Sequence, residues 1–109
     1  MGELEVYGYI AKITSKPGER EALLAILLES TGAMAGCINY VISLDQGDKD
    51  GLWVTEIWES KAAHTASLSL PNVKAAIAQA MPHIASFDPR IETTPVGGIG
   101  LPSDGNLWW

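Results

Sequence analysis

A single cysteine, Cys37, two histidines, one phenylalanine and only seven Lys or Arg stand among the 109 residues. One cysteine excludes an intrachain disulfide and leaves a thiol suited to a reducing compartment. His64, His83 and Cys37 are the only soft or borderline metal ligands, and no two of them stand at zinc-site spacing. Thirteen Asp and Glu outnumber the basic residues, 7 − 13 = −6. A negative chain repels phosphate backbones and anionic membranes, so neither nucleic acid nor membrane is expected as a partner. No apolar run nears the roughly 20 residues of a membrane helix. The opening Met1-Gly2-Glu3-Leu4-Glu5 has neither the basic region nor the apolar stretch of a secretory leader, and a cytoplasmic location is expected. Walker, Rossmann and zinc patterns are missing too.

Hydrophobicity, in contrast, is plentiful: 47% of the residues are apolar and 18% charged, in a chain long enough for one domain. A domain of this size hides only about two-thirds of the surface its unfolded chain exposes. The apolar surplus predicts a subunit interface or a greasy ligand cavity.

Along the chain, Glu5 to Thr14 reads as a strand with Val6, Gly8 and Ile10 on one face and Tyr7, Tyr9, Ala11 and Ile13 on the other. Both faces are apolar, so both need cover. Ser15-Lys16-Pro17-Gly18 turns into a helix with Pro17 in its first turn, Glu19 and Glu21 near its positive end, and a stripe of Leu23, Leu24, Ile26, Leu27 and Leu28. Thr31-Gly32 is its stop. Cys37 to Asp45 is a second strand, and the turn formers Gln46 to Gly51 return the chain antiparallel as Leu52 to Glu59. On that third strand Leu52, Val54, Glu56 and Trp58 oppose Trp53, Thr55, Ile57 and Glu59. Ser60 is placed to cap a short helix through about Leu68. After Pro71 the set Val73, Ala76, Ile77, Ala80, Met81 and Ile84 follows helical spacing, and the helix is expected to kink or end near Met81, because Pro82 lacks an N–H. Phe87 to Thr94, bracketed by Pro89 and Pro95, suits an edge or bulged strand.

The order βαββαβ predicts an α+β, ferredoxin-like fold, a four-stranded antiparallel sheet with helices on one face. The bare face and the doubly apolar strands predict two sheets meeting as a homodimer. Residues 1–101 form the expected domain and 102–109 a C-terminal tail. In this reading Tyr7, Tyr9, Ile38, Tyr40 and Ile42, or their opposite-face neighbours, meet the second subunit. Leu68, Ile77 and Trp58 then wall a cavity on the other side.

Several residues read in more than one way. Glu56 shares a face with Leu52, Val54 and Trp58, where a carboxylate is costly unless paired or near solvent; it is an ion-pair partner of a residue such as Arg90, or a site carboxylate with a raised pKa. Asn39, polar in an apolar strand, either orients a substrate carbonyl or makes a local hydrogen bond. Tyr7, Tyr9 and Tyr40 fill a core or supply phenolic donors. His83, beside Pro82, reads as a helix-end residue.

The run Glu56-Ile57-Trp58-Glu59-Ser60, then Ala62, Ala63 and His64, Ser67-Leu68, Pro71-Asn72-Val73-Lys74 and Pro95-Val96-Gly97-Gly98, with Ile13 to Gly18 at the start, resembles the antibiotic biosynthesis monooxygenase family and its quinol monooxygenases. The resemblance implies a dimeric α/β barrel that oxidises small quinol-like aromatics with molecular oxygen and no flavin, metal or haem. It also implies Trp58 as cavity wall and indole donor, against the plainer reading of a core tryptophan. His64 becomes base or hydrogen-bond partner for a substrate hydroxyl, against a half-buried histidine bonded to backbone. Polyketide-modifying members carry Asn four residues before the Trp, where this chain has Val54. Haem-degrading relatives carry a cavity Asn on the first strand, where Tyr7, Tyr9 and Lys12 stand. Two other functions are weighed: a non-catalytic dimer binding a small aromatic ligand, and a haem-degrading monooxygenase.

Overall fold

The computed structural model describes residues 5–30, 32 and 34–101. Its elements are β1 (Tyr7–Ser15), α1 (Arg20–Glu29), β2 (Cys37–Leu44), β3 (Gly51–Trp58), α2 (Lys61–Ser67), α3 (Pro71–Ala80), a 3-10 turn (Met81–His83) and β4 (Ile84–Thr93). The strands form one antiparallel sheet in the order β2-β3-β1-β4, the ferredoxin-like α+β arrangement expected. The 102–109 tail and Thr31 lie outside the described residues.

β3 shows why the layers form. Leu52, Val54, Glu56 and Trp58 are buried while Thr55 is exposed, the period-two alternation of a strand with one covered face. Register places Tyr9, Ala11 and Ile13 of β1 beside Glu56, Val54 and Leu52, and Tyr40 and Ile42 of β2 beside Glu56 and Val54. The core on this inner face is Ala11, Ile13, Leu23, Leu52, Val54 and Ala80. Tyr7, Tyr9, Tyr40 and Ile42 therefore face the helices. Their opposite-face neighbours Ile10, Val41 and Ile57, with Ile91, make up the outer face, where Val41 and Ile91 are exposed.

Three local expectations shift. α1 starts at Arg20 with Glu19 as its N-cap, because Pro17 and Gly18 are spent on the turn: Gly18 takes φ +77°, a conformation that suits glycine, and its N–H donates to Asp50 Oδ1 at 3.1 Å. α1 closes on Ser30, ahead of the Thr31-Gly32 stop, with the Ser30 hydroxyl donating to the Leu27 carbonyl at 2.9 Å. β4 begins at Ile84, three residues before Phe87, so Ile84 is a strand residue and not the last of the helical set, since the turn at Pro82 ends the helical run and feeds straight into pairing with Ser15.

β4 is an edge strand and is bulged. Ala11 pairs with Arg90 and Ile13 with Phe87, so two steps along β1 match three along β4. The extra residue puts Phe87 and Arg90 on the same, inner face, although strict alternation would separate them. Beyond β4 the chain crosses the outer face. A side chain on Gly8 would run into Thr93 and Pro95, and the Asn39 amide donates to the Gly100 carbonyl at 3.0 Å.

Candidate functional site

A cavity of about 290 Å³ lies between the inner face of the sheet and the three helices. β3 supplies its floor through the buried side chains of Val54, Glu56 and Trp58. The Ser60 hydroxyl accepts from the Ala63 N–H at 3.0 Å, the N-cap bond expected there. This starts α2 soon after Trp58 and brings His64 back over β1. The imidazole sits among three aromatic rings, with centroids 5.2 Å from Tyr9, 5.3 Å from Tyr7 and 5.5 Å from the edge-on Trp58.

Glu56 is 6% exposed. Its Oε1 accepts from Trp58 Nε1 at 2.8 Å and lies 3.8 Å from His64 Nε2. The carboxylate is thus satisfied by the indole, and the Arg90 pairing that the sequence suggested is not formed. Burial pushes the Glu56 carboxyl above its ordinary range, opposed by the Trp58 bond. Burial also lowers the His64 pKa, with Glu92 working against it and Lys61 with it. An imidazole held below its ordinary pKa is neutral at neutral pH and free to accept a proton. The half-buried Tyr40 hydroxyl is raised, chiefly by desolvation and then by Glu56, and stays a protonated donor.

The remaining sequence candidates separate. Leu68 and Ile77 line the cavity at its rim, 45% and 44% exposed. Asn39 is not at the cavity: as the tether to Gly100 it belongs to the outer face. His83 Nδ1 lies 2.8 Å from Glu19 Oε1, joining the start of α1 to the turn after α3. Tyr7 donates to Glu92 at 2.7 Å, and Lys61 Nζ lies 3.0 Å from the same carboxylate.

A family model of antibiotic biosynthesis monooxygenases matches residues 7–79. The chain belongs to this family. A solved Chloroflexus aurantiacus structure, described provisionally as an antibiotic biosynthesis monooxygenase, is 50% identical, with 85% of this chain and 95% of that one covered and a TM-score of 0.83. A Caulobacter crescentus structure of the same provisional description is 18% identical, with 86% and 92% covered and a TM-score of 0.78. A Shewanella oneidensis protein is 23% identical, with 84% and 92% covered and a TM-score of 0.76. The last two show the fold alone. A search among curated proteins returned no match.

In this antibiotic biosynthesis monooxygenase domain the matched segment contains Trp58, Glu56 and His64. Tyr9, Tyr40, Phe87 and Arg90 also line the cavity; the sequence left the two tyrosines open between core filling and phenolic donors, and it did not place Phe87 or Arg90 there. For the tyrosines the signal was present in strand alternation but needed the register. For Phe87 and Arg90 alternation would put the two on opposite faces, and the bulge brings both to the inner one. Among the described residues no three His, Cys, Asp or Glu side chains are grouped to hold a metal ion, and no helix is long and apolar enough to cross a membrane.

Proposed function

We propose that the chain is a cofactor-independent monooxygenase that oxidises a small quinol or polyphenol with molecular oxygen. The observation that carries this is the placement of His64, caged by Tyr7, Tyr9 and Trp58 over the buried Glu56 in the wall of a largely apolar cavity, where burial lowers its pKa. A hydroquinone bound there loses a phenolic proton to His64 Nε2. In a dry cavity the phenolate is electron-rich enough to donate to oxygen. One oxygen atom enters the ring, which becomes the hydroxylated quinone, and the other leaves as water with two hydrogens from the substrate. Every electron comes from the substrate, so the balance requires no separate reductant. The Tyr40 hydroxyl is the neutral donor on the cavity wall for the developing charge, because the one N–H of Trp58 is spent on Glu56 Oε1 and so fixes that carboxylate instead of the substrate.

The test is oxygen uptake by metal-free and flavin-free protein over a panel of hydroquinones. Uptake above autoxidation on at least one member is expected. Saturable binding with no uptake on any of them turns the reading to a ligand-binding protein, and a saturable Soret band with haemin turns it to haem degradation.

Domains of this family commonly form dimers, and the apolar outer face around Val41, Ile91, Ile10 and Ile57 supports the same state here. Burial of apolar area contributes about 25 cal/mol per Å². Sedimentation at micromolar concentration is expected to give a dimer; a monomer removes the sheet-to-sheet assembly.

A further inference from the structure

The cavity contains one feature that proton removal from a quinol does not use. Arg90 lines it from the solvent-exposed edge strand β4, a permanent cation at the mouth of a wall otherwise rich in Ile13, Leu27, Val54 and Ile77. Its guanidinium lies over the Phe87 ring, 5.4 Å from the centroid. It also faces the Tyr9 hydroxyl, whose acidity it favours against the effect of burial. Among the described residues no carboxylate lies within 4 Å of Arg90; the short ion pairs fall on Lys12, Lys61, His64 and His83. The nearest inner-face acids are engaged elsewhere, Glu92 with Tyr7 and Lys61, and Glu56 with Trp58. An aromatic face on one side and a phenol on another leave the planar fork of donors oriented and without an anion. Arginine presents such a fork to carboxylates.

We propose that Arg90 determines specificity, and that the substrate class is a hydroxylated aromatic acid whose carboxylate is held by Arg90 while its phenolic end reaches His64. The register supports the span. Arg90 stands opposite Ala11, whereas Glu56 stands opposite Tyr9 on the other side of β1. With strands about 4.8 Å apart and two residues along a strand about 6.7 Å, the Arg90 and Glu56 Cα atoms are roughly 12 Å apart. One ring with an acid at one edge and a hydroxyl at the other bridges such a separation once the side chains reach inward. The chain as a whole is negative, so attraction of an acid has to come from this local cation.

The proposal rests on the aromatic-oxidation reading, and binding is measured apart from turnover so that the two can fail separately. Calorimetric titration under nitrogen compares 2,5-dihydroxybenzoate with 2,5-dihydroxybenzamide on the full chain. The expected result is that the acid binds at least about tenfold more tightly. Arg90→Gln brings the ratio close to one, and Arg90→Lys retains part of it because the charge stays while the fork is lost. A wild-type ratio under about threefold, or a ratio that survives in Arg90→Gln, overturns the assignment. An Arg90-dependent preference without oxygen uptake on either compound upholds the anchor and removes the oxygenase.

Discussion

Replacing His64 by alanine is expected to lower kcat/KM for quinol oxidation by about 10²- to 10⁴-fold, the usual contribution of a positioned general base. The pH profile makes this loss specific. His64 has its pKa lowered by burial, so wild-type kcat/KM falls on the acid side with a midpoint below the ordinary 6.5, where the imidazole takes up its own proton. In His64→Ala that limb disappears, leaving the slow residual rate flat across the same range. Stability follows the same proton. The unfolded chain holds it at a pH where the folded chain does not, so this part of the stability is present above about pH 6.5 and is lost as pH falls through the folded value. Glu56, raised by burial, acts with the opposite sign: its contribution is present below its ordinary pKa and is lost as pH rises through the folded value. A rate change under threefold in His64→Ala, with the acid limb intact, removes His64 from the chemistry.

The second large effect is on stability. Trp58, 1% exposed, is among the largest fully buried side chains, and truncation to alanine is expected to cost about 3–5 kcal/mol. That is a large share of the roughly 5–15 kcal/mol typical of a domain. Denaturant unfolding followed by circular dichroism measures it, and a loss below about 1 kcal/mol contradicts the packing described. Trp58→Phe separates packing from the indole. It keeps most of the ring but leaves Glu56 Oε1 without the donor now 2.8 Å away, at a cost of about 1–3 kcal/mol. It also removes the bond that holds the Glu56 pKa down. The phenylalanine variant is therefore expected to be less stable than wild type, more stable than Trp58→Ala, and slower in turnover than wild type.

What was legible in the sequence depended on how far apart the relevant residues stand. Glu56 and Trp58 are two apart on one strand, and alternation alone places them together on a covered face. Ser60 as a cap and His64 within the following helix are likewise local features. Of the two readings of Glu56, the ion pair with Arg90 does not form, because an indole from its own strand takes the carboxylate, whereas the cavity carboxylate raised by burial is what the structure has. Asn39 could not be placed without knowing that residues 95–100 turn back over the sheet, since its partner is the Gly100 carbonyl. The tyrosines of β1 and β2 were visible as a face. Which side that face took was fixed only by pairing with β3, including the register shift between Cys37 and Asn39.

The bulge in β4 makes the electrical character of the cavity a matter of register. Were β4 paired without its bulge over the same three steps from Phe87 to Arg90, strict alternation would turn the guanidinium to the outer face while Phe87 stays inside. The cavity would then be lined without a fixed cation, with every side chain of β3 and α2 unchanged. Two proteins of this fold with the same arginine in the same stretch of sequence can thus offer opposite welcomes to an acid. Comparing them by residue identity alone would miss the difference, whereas counting residues along β4 against β1 would reveal it.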